Sequence, residues 1–239
     1  MLLGITEMPP CGFGNRLLYY YNLRQEAHKR GCNFFSIPWN GHEFFEGNML
    51  GDYPPSNDEY ESMQFCLGDK FYDSTELSTR TVFQLKKKPS VMHGTCAIHF
   101  RGTDFYSWNS QAVLSYEYYY KSIEEVKDYV SQFVLFTDDR NLESFVRVKD
   151  RLNTEGFKVI EGQNTHDRKF YIEDFSYMTE CDWIISSPSS FCVAAGFIGK
   201  HKKIIHCEQW IENRIEEKDK FWIDLYNGGN NDYFIWRLI

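Results

Sequence analysis

The 239-residue chain has no apolar run approaching the ~20 residues that cross a bilayer. Its seven cysteines (11, 32, 66, 96, 181, 192 and 207) are odd in number, scattered, and never spaced C-x-x-C. That argues against a zinc cluster or a disulfide framework and fits a reducing compartment. Basic charge is also short: 26 Lys and Arg stand against 34 Asp and Glu, for a net charge of −8. A general nucleic-acid binder presents basic stripes instead. The opening "MLLGITEMPP" has no basic n-region and its apolar run stops at Glu7, so no secretory signal is expected. There is no internal repeat and no low-complexity tract beyond aromatic clusters. A soluble, cytoplasmic protein without a transmembrane segment is the expectation, and a local basic pocket for one anionic ligand is compatible with it.

What is present is length enough for a proper core and an unusual wealth of rings, with 16 Tyr and 20 Phe. Met1–Thr6 reads as a short buried strand. The loop "EMPPCGFGN" follows, then a helical pattern from Arg16 to Arg30 ended by Gly31, then a strand over Cys32–Ile37. This β–loop–α–β order opens an α/β lobe. Residues 38–62, crowded with Gly, Pro, Asn and Asp, read as a long irregular excursion, and residues 63–85 as one or two strands. The run "KKKPS" at 86–90 reads as a solvated hinge, dividing a small lobe (1–90) from a larger one (91–239). From Val91 onward five strands (95–100, 133–137, 157–160, 183–186, 203–206) alternate with four helices (116–130, 141–153, 170–179, 190–198). That alternation predicts a doubly wound parallel sheet with right-handed crossovers.

Ligands of such sheets bind beyond the carboxyl ends of the strands, where three polar clusters fall. In "HFRGTD" (99–104), Arg101 offers a planar fork suited to phosphate or carboxylate, or a local salt bridge to Asp104. In "SSPSSF" (186–191), Pro188 sets a turn and Ser189 or Ser190 starts a helix. The start of that helix is either an anion site or an ordinary cap. "TDD" (137–139) suits a divalent metal, or simply opens a helix whose dipole favours acids. In the first lobe, Gly12 and Gly14 allow backbone to approach a ligand next to Asn15. The aromatics Trp39, Phe44, Phe45 and Tyr53 serve either as core or as platforms for sugar rings.

"CGFGNRL", "HFRGTD", "FTDD" and "EDFSYMTECDWIISSPSSF" occur in this order, and together they resemble the GDP-fucose-dependent fucosyltransferases, above all the α1,6 type. The likeness covers nearly all of 95–200 and the patch at 11–18; residues 32–90 match nothing. It implies a GT-B-like fold of two Rossmann-like lobes, the first one reduced, and an inverting transferase that needs no metal or other cofactor. Its substrates would be GDP-fucose or a related GDP-sugar and a glycan hydroxyl. Arg101 would hold the β-phosphate of the leaving GDP, with His99 against the nucleotide or diphosphate. Asp174 would contact guanine or ribose, and Ser189, Ser190 and Phe191 the diphosphate side. Asp138 would lie beside the donor, and Gly12, Gly14 and Asn15 would face the sugar from the other lobe. Two departures stand out. Gly102 replaces the second arginine of the family's H-x-R-R, and Asn109 stands where the family has its proposed base. That leaves Asp104, Glu43 or Asp52 as candidates, or no base at all. The short first lobe, with no stalk or anchor, suggests a microbial or viral enzyme. Two other readings stay open: a metal-dependent transferase using "TDD", and a binding module for nucleotide sugars or glycans that has lost catalysis.

Overall fold

The computed structural model describes residues 2–52, 59–63, 77–90, 92–108, 110–163, 171–199, 201, 203–207 and 234–237. These form two compact units that divide between Lys87 and Lys88, each built on its own all-parallel sheet.

In the first unit, β1 (Leu2–Ile5) lies between β2 (Asn33–Ser36) and β3 (Tyr60–Ser62). Every residue of β1 is buried, as a central parallel strand covered on both faces requires. Gly4 is obligatory there, because the Phe35 ring occupies the space a Cβ would need. Helix α1 (Phe13–Arg30) ends at Gly31, whose φ of 60° lets its N–H reach the Ala27 and His28 carbonyls. This is the left-handed cap that glycine adopts without penalty. Tyr20, Tyr21, Trp39, Phe45 and Phe83 close around one another as an aromatic core. Trp39 and Phe45 are therefore core residues, Phe44 is half-buried against Phe13, and Tyr53 lies outside the described residues.

Three expectations for this unit change where the residues are described. The excursion carries short regular pieces, α2 (Gly41–Phe44) and β3, and the 63–85 segment contributes a helical turn, α3 (Thr79–Val82). Ser78 starts α3, its Oγ accepting from the Thr81 N–H at 3.3 Å. That local capping overrides the strand reading, while 64–76 lie outside the described residues. Nor is Lys86 part of a free hinge: its Nζ donates to the His42 carbonyl (2.8 Å) and its backbone N–H to Phe44 (2.8 Å).

The second unit runs β4 (Met92–Phe100), α4 (Phe105–Trp108), α5 (Tyr116–Val126), β5 (Gln132–Thr137), α6 (Glu143–Thr154) and β6 (Lys158–Glu161). It continues with α7 (Tyr171–Glu180), β7 (Cys181–Ile185), α8 (Ser190–Ile198), β8 (Lys203–Cys207) and β9 (Phe234–Arg237). The strands lie in the order β6-β5-β4-β7-β8-β9, the doubly wound arrangement that reverses direction between β4 and β7. The sheet has six strands rather than five, because the tail supplies β9 alongside β8. β4 is buried continuously from Thr95 to Phe100. Phe100, Tyr119, Phe133 and Phe145 pack over it between α5 and α6, each fully buried ring contributing about 2 kcal/mol. The fold is thus α/β and GT-B-like, with two Rossmann-like lobes and a reduced first one.

Candidate active site

The strand order reverses between β4 and β7, the place at the carboxyl edge of a doubly wound sheet where ligands bind, and the polar motifs meet there. His99, the penultimate residue of β4, is buried, and its Nδ1 lies 2.7 Å from Ser187 Oγ. That bond ties "HFRGTD" directly to "SSPSSF". Burial, and secondarily the Arg101 charge, push the His99 pKa down to about 3, so the ring is neutral at physiological pH. Tyr119 Oη donates to the His99 carbonyl at 3.2 Å.

The same turn is gripped from the other side. Ser186 Oγ makes a short hydrogen bond to Nδ1 of the fully buried His206 on β8. Burial holds His206 near pKa 3 as well. Tyr118 Oη donates to the carbonyls of Ser186 (2.9 Å) and Ile205 (3.3 Å), and the Ser186 N–H donates to Ile205 (2.9 Å). Two histidines therefore brace two consecutive serines. Ser189 is the N-cap of α8, but its side chain accepts no capping bond. α8 starts at the half-buried Ser190, and the start of a helix is where its dipole favours an anion. Phe191 packs edge-on against Phe175 (5.3 Å between centroids) and beside His99 (5.9 Å).

Arg101 leaves the edge of β4 held by two carboxylates. Its NH2 group donates to Asp104 Oδ1 at 2.7 Å, and NH1 lies 2.5 Å from Asp138 Oδ2. The guanidinium also covers the Phe105 ring, 5.0 Å from its centroid. Its Nε is buried and has no hydrogen-bond partner, so one donor of the fork is unspent. Asp138, only 1 % exposed, takes in addition the Gly102 N–H (2.8 Å) and the Thr103 hydroxyl (2.8 Å).

This corrects the helix-start reading of the aspartates. α6 begins at Glu143, four residues beyond Asp139, with Leu142 at its N-cap. Asp138 organises the Arg101 loop, and Asp139 accepts the Asn141 N–H at 2.9 Å in a local turn. Gly102 fits this packing: a Cβ there would meet the Asp139 Cβ at 3.2 Å. Among the described residues no group of three or more His, Cys, Asp or Glu side chains is placed to hold a metal ion.

Farther along the edge, Asp174 of α7 is 1 % exposed. Its Oδ1 accepts the Gln163 N–H at 2.8 Å, just past β6, while Oδ2 is buried without a hydrogen-bond partner. Desolvation pushes its pKa up to about 7. Arg140, in the turn after β5, donates to the Gly162 carbonyl (3.3 Å). A buried acceptor with an unused oxygen beside a backbone elbow is suited to a ligand group that donates N–H bonds.

The first-unit candidates belong to a separate body. Gly12 is the N-cap of α1, and a side chain there would project into open space. Gly14 is buried and Asn15 half-buried in the first turn. Arg16 steadies the preceding loop through the Pro9 carbonyl (3.2 Å) and Asn40 Oδ1 (3.0 Å). Of the proposed bases, Asp104 is 64 % exposed on the Arg101 loop, and Glu43 is exposed on α2. Asp52 bonds through its N–H to Phe34 near the start of β2, at the wrong edge of its sheet for a ligand of the strand ends. Asn109 lies outside the described residues. Sequence reading missed His206 and Tyr118. Both lie outside the motifs, and only strand order brings β8 and α5 to the turn.

No family model matches the chain, and no curated protein matches it by sequence. A solved structure does: the NodZ α-1,6-fucosyltransferase, from a crystal soaked with GDP-fucose. It aligns with a TM-score of 0.57 at 14 % identity, over 87 % of this chain and 94 % of that one. The fold is fucosyltransferase-like. Among the described residues, no helix is long and apolar enough to cross a membrane.

Proposed function

We propose that the chain is a glycosyltransferase that takes a sugar, L-fucose first among candidates, from a GDP-sugar and passes it to a glycan hydroxyl. The observation that carries this is the joining of Arg101 and the Ser186–Ser190 turn at the reversal of the sheet, through the His99–Ser187 bond. The likeness of the whole fold to a fucosyltransferase crystal soaked with GDP-fucose supports it.

On this reading the diphosphate lies between the Arg101 side chain and the start of α8. Cleavage of the glycosyl–phosphate bond leaves negative charge on the β-phosphate while the sugar becomes oxocarbenium-like. Donors already fixed in place stabilise that charge as it grows, and one such donor is worth ~3 kcal/mol. Asp104 and Asp138 orient the guanidinium, and its free Nε is the donor offered to phosphate. Asp174 takes the N–H edge of guanine with its unused oxygen. By the family resemblance the transfer would be inverting and metal-independent, and the fixed cationic and N–H donors are the groups that would neutralise the diphosphate. Asp104, 64 % exposed on the Arg101 loop, is the carboxylate offered to the acceptor hydroxyl. The two carboxylates that neutralise Arg101 favour one second reading, a module that binds GDP-sugars without transferring them.

Thermal-shift titration with GDP-, UDP-, ADP- and dTDP-sugars, with and without EDTA, tests the donor. A selective stabilisation by GDP and GDP-fucose that EDTA leaves unchanged is expected. Folded protein that shows no shift with GDP sinks the proposal. Release of free GDP from GDP-fucose over a panel of glycans separates the transferase from the binding module.

A further inference from the structure

The first unit holds a cavity of about 460 Å³ that the catalytic reading does not use. It lies between α1, α3 and the 46–52 loop, near the amino end of β2, so it opens away from the edge where the parallel strands end. Arg24 forms its floor. The guanidinium sits 4.3 Å above the Phe34 ring and 5.9 Å from the Tyr20 ring. NH1 donates to the buried Tyr20 hydroxyl at 3.3 Å. Glu46 and Asp52 line the same cavity, yet among the described residues neither comes within ion-pair distance of Arg24.

The geometry of the loop explains that separation. Asn48 clasps Gly51 twice, its Nδ2 donating to the Gly51 carbonyl (2.7 Å) and its Oδ1 accepting the Gly51 N–H (3.0 Å). The loop is stitched to β2 by Ser36 N–H to Leu50 and Asp52 N–H to Phe34, both 2.8 Å. Gly47 and Gly51 make the turns at φ 81° and 73°. A loop fixed in this way cannot collapse onto the arginine. A guanidinium already immobilised by stacking loses little further freedom when a ligand binds.

Donors at the floor thus face acceptors at the rim across a space within the size range of small-ligand pockets. A simple anion would be repelled by two carboxylates and a simple cation by Arg24. A neutral ligand whose hydroxyls both accept and donate satisfies both sides. We propose that this cavity is an accessory carbohydrate site, taking one or two neutral sugar residues and playing no part in bond cleavage. The inference rests on the cavity alone and does not require the GDP-sugar reading.

Saturation-transfer NMR with lactose, cellobiose, mannobiose and chitobiose at millimolar concentration tests it, with inorganic sulfate as the anionic control. Saturable binding of at least one disaccharide is expected. Both Arg24→Gln and Asp52→Asn should weaken it roughly tenfold or more and leave the GDP thermal shift as in the wild type. The second variant, at an exposed carboxylate, keeps the test valid should the first misfold. No saturable disaccharide, binding untouched by both variants, or binding of sulfate in its place would each overturn the proposal.

Discussion

Arg101 illustrates how one side chain is prepared for a role before any ligand arrives. Its two ion pairs commit both Nη groups to orientation rather than recognition, one to Asp104 and one to Asp138. Its Nε is buried without a hydrogen-bond partner, and it is the donor that the proposed phosphate contact would use. Removal therefore does two separable things. Arg101→Ala takes away the proposed phosphate donor and strands Asp138, a buried carboxylate, at a stability cost of about 3 kcal/mol. Arg101→Lys keeps a cation for Asp138 but loses the planar fork. The lysine variant is expected to melt close to the wild type while GDP-fucose turnover falls by ~10²-fold. Steady-state kinetics beside a melting curve checks this. Turnover within a few-fold of wild type would show that the guanidinium serves the loop and not the reaction.

Among the elements, the turn between β7 and α8 depends most on parts remote from it in the chain. The parallel strands and their alternation with helices were legible in the sequence, because unbroken apolar runs such as 95–100 and amphipathic helices such as Glu143–Thr154 carry their own signals. The meeting of "HFRGTD", "TDD" and the serine turn on one edge followed from topology alone, whereas Asp174 was singled out only by the family resemblance. What could not be read was the other half of the grip. His206 sits in the short apolar run of β8 and looks like any core histidine. Only the order β4-β7-β8 puts it under Ser186. The partners of Asp138 were hidden for the opposite reason, since an acid before a helix has a sufficient local explanation that the structure does not adopt. The grip makes an element-level prediction. His206→Leu leaves the Ser186 hydroxyl without its partner and loosens the turn, so GDP binding should weaken roughly tenfold. His206→Gln, which retains one hydrogen-bonding group, should recover most of it. Calorimetric GDP titrations of the three proteins decide. Equal affinities across them would reduce the brace to core packing.

For the molecule as a whole, three buried titratable groups among the described residues pull the pH dependence of folding in opposite directions. His99 and His206 are held near pKa 3 by burial. Between about pH 3 and their unfolded value of ~6.5, the unfolded chain binds protons that the folded one refuses. Stability therefore rises with pH through that window. Asp174 behaves inversely. Its folded pKa of about 7 lies above its unfolded value of 3.8, so the folded protein holds a proton that the unfolded chain has already released. Its contribution is complete below the unfolded value and is lost as pH rises toward 7. Two histidines against one aspartate leave acid as the destabilising side. Asp174→Asn isolates the single opposing group, because the asparagine keeps an acceptor for the Gln163 N–H and cannot ionise. The variant's melting temperature relative to wild type is expected to climb between pH 4 and pH 7 and then level off. If guanine lies against Asp174, GDP affinity of the wild type should also rise through pH 7, as the carboxylate forms to meet the N–H edge, and the variant should lose that rise. Melting curves and GDP titrations across pH 4 to 8 measure both. A melting difference that does not vary with pH would mean Asp174 is ionised throughout and its burial is matched by a partner. A pH-independent GDP affinity alone would remove Asp174 from the donor site while leaving its effect on folding intact.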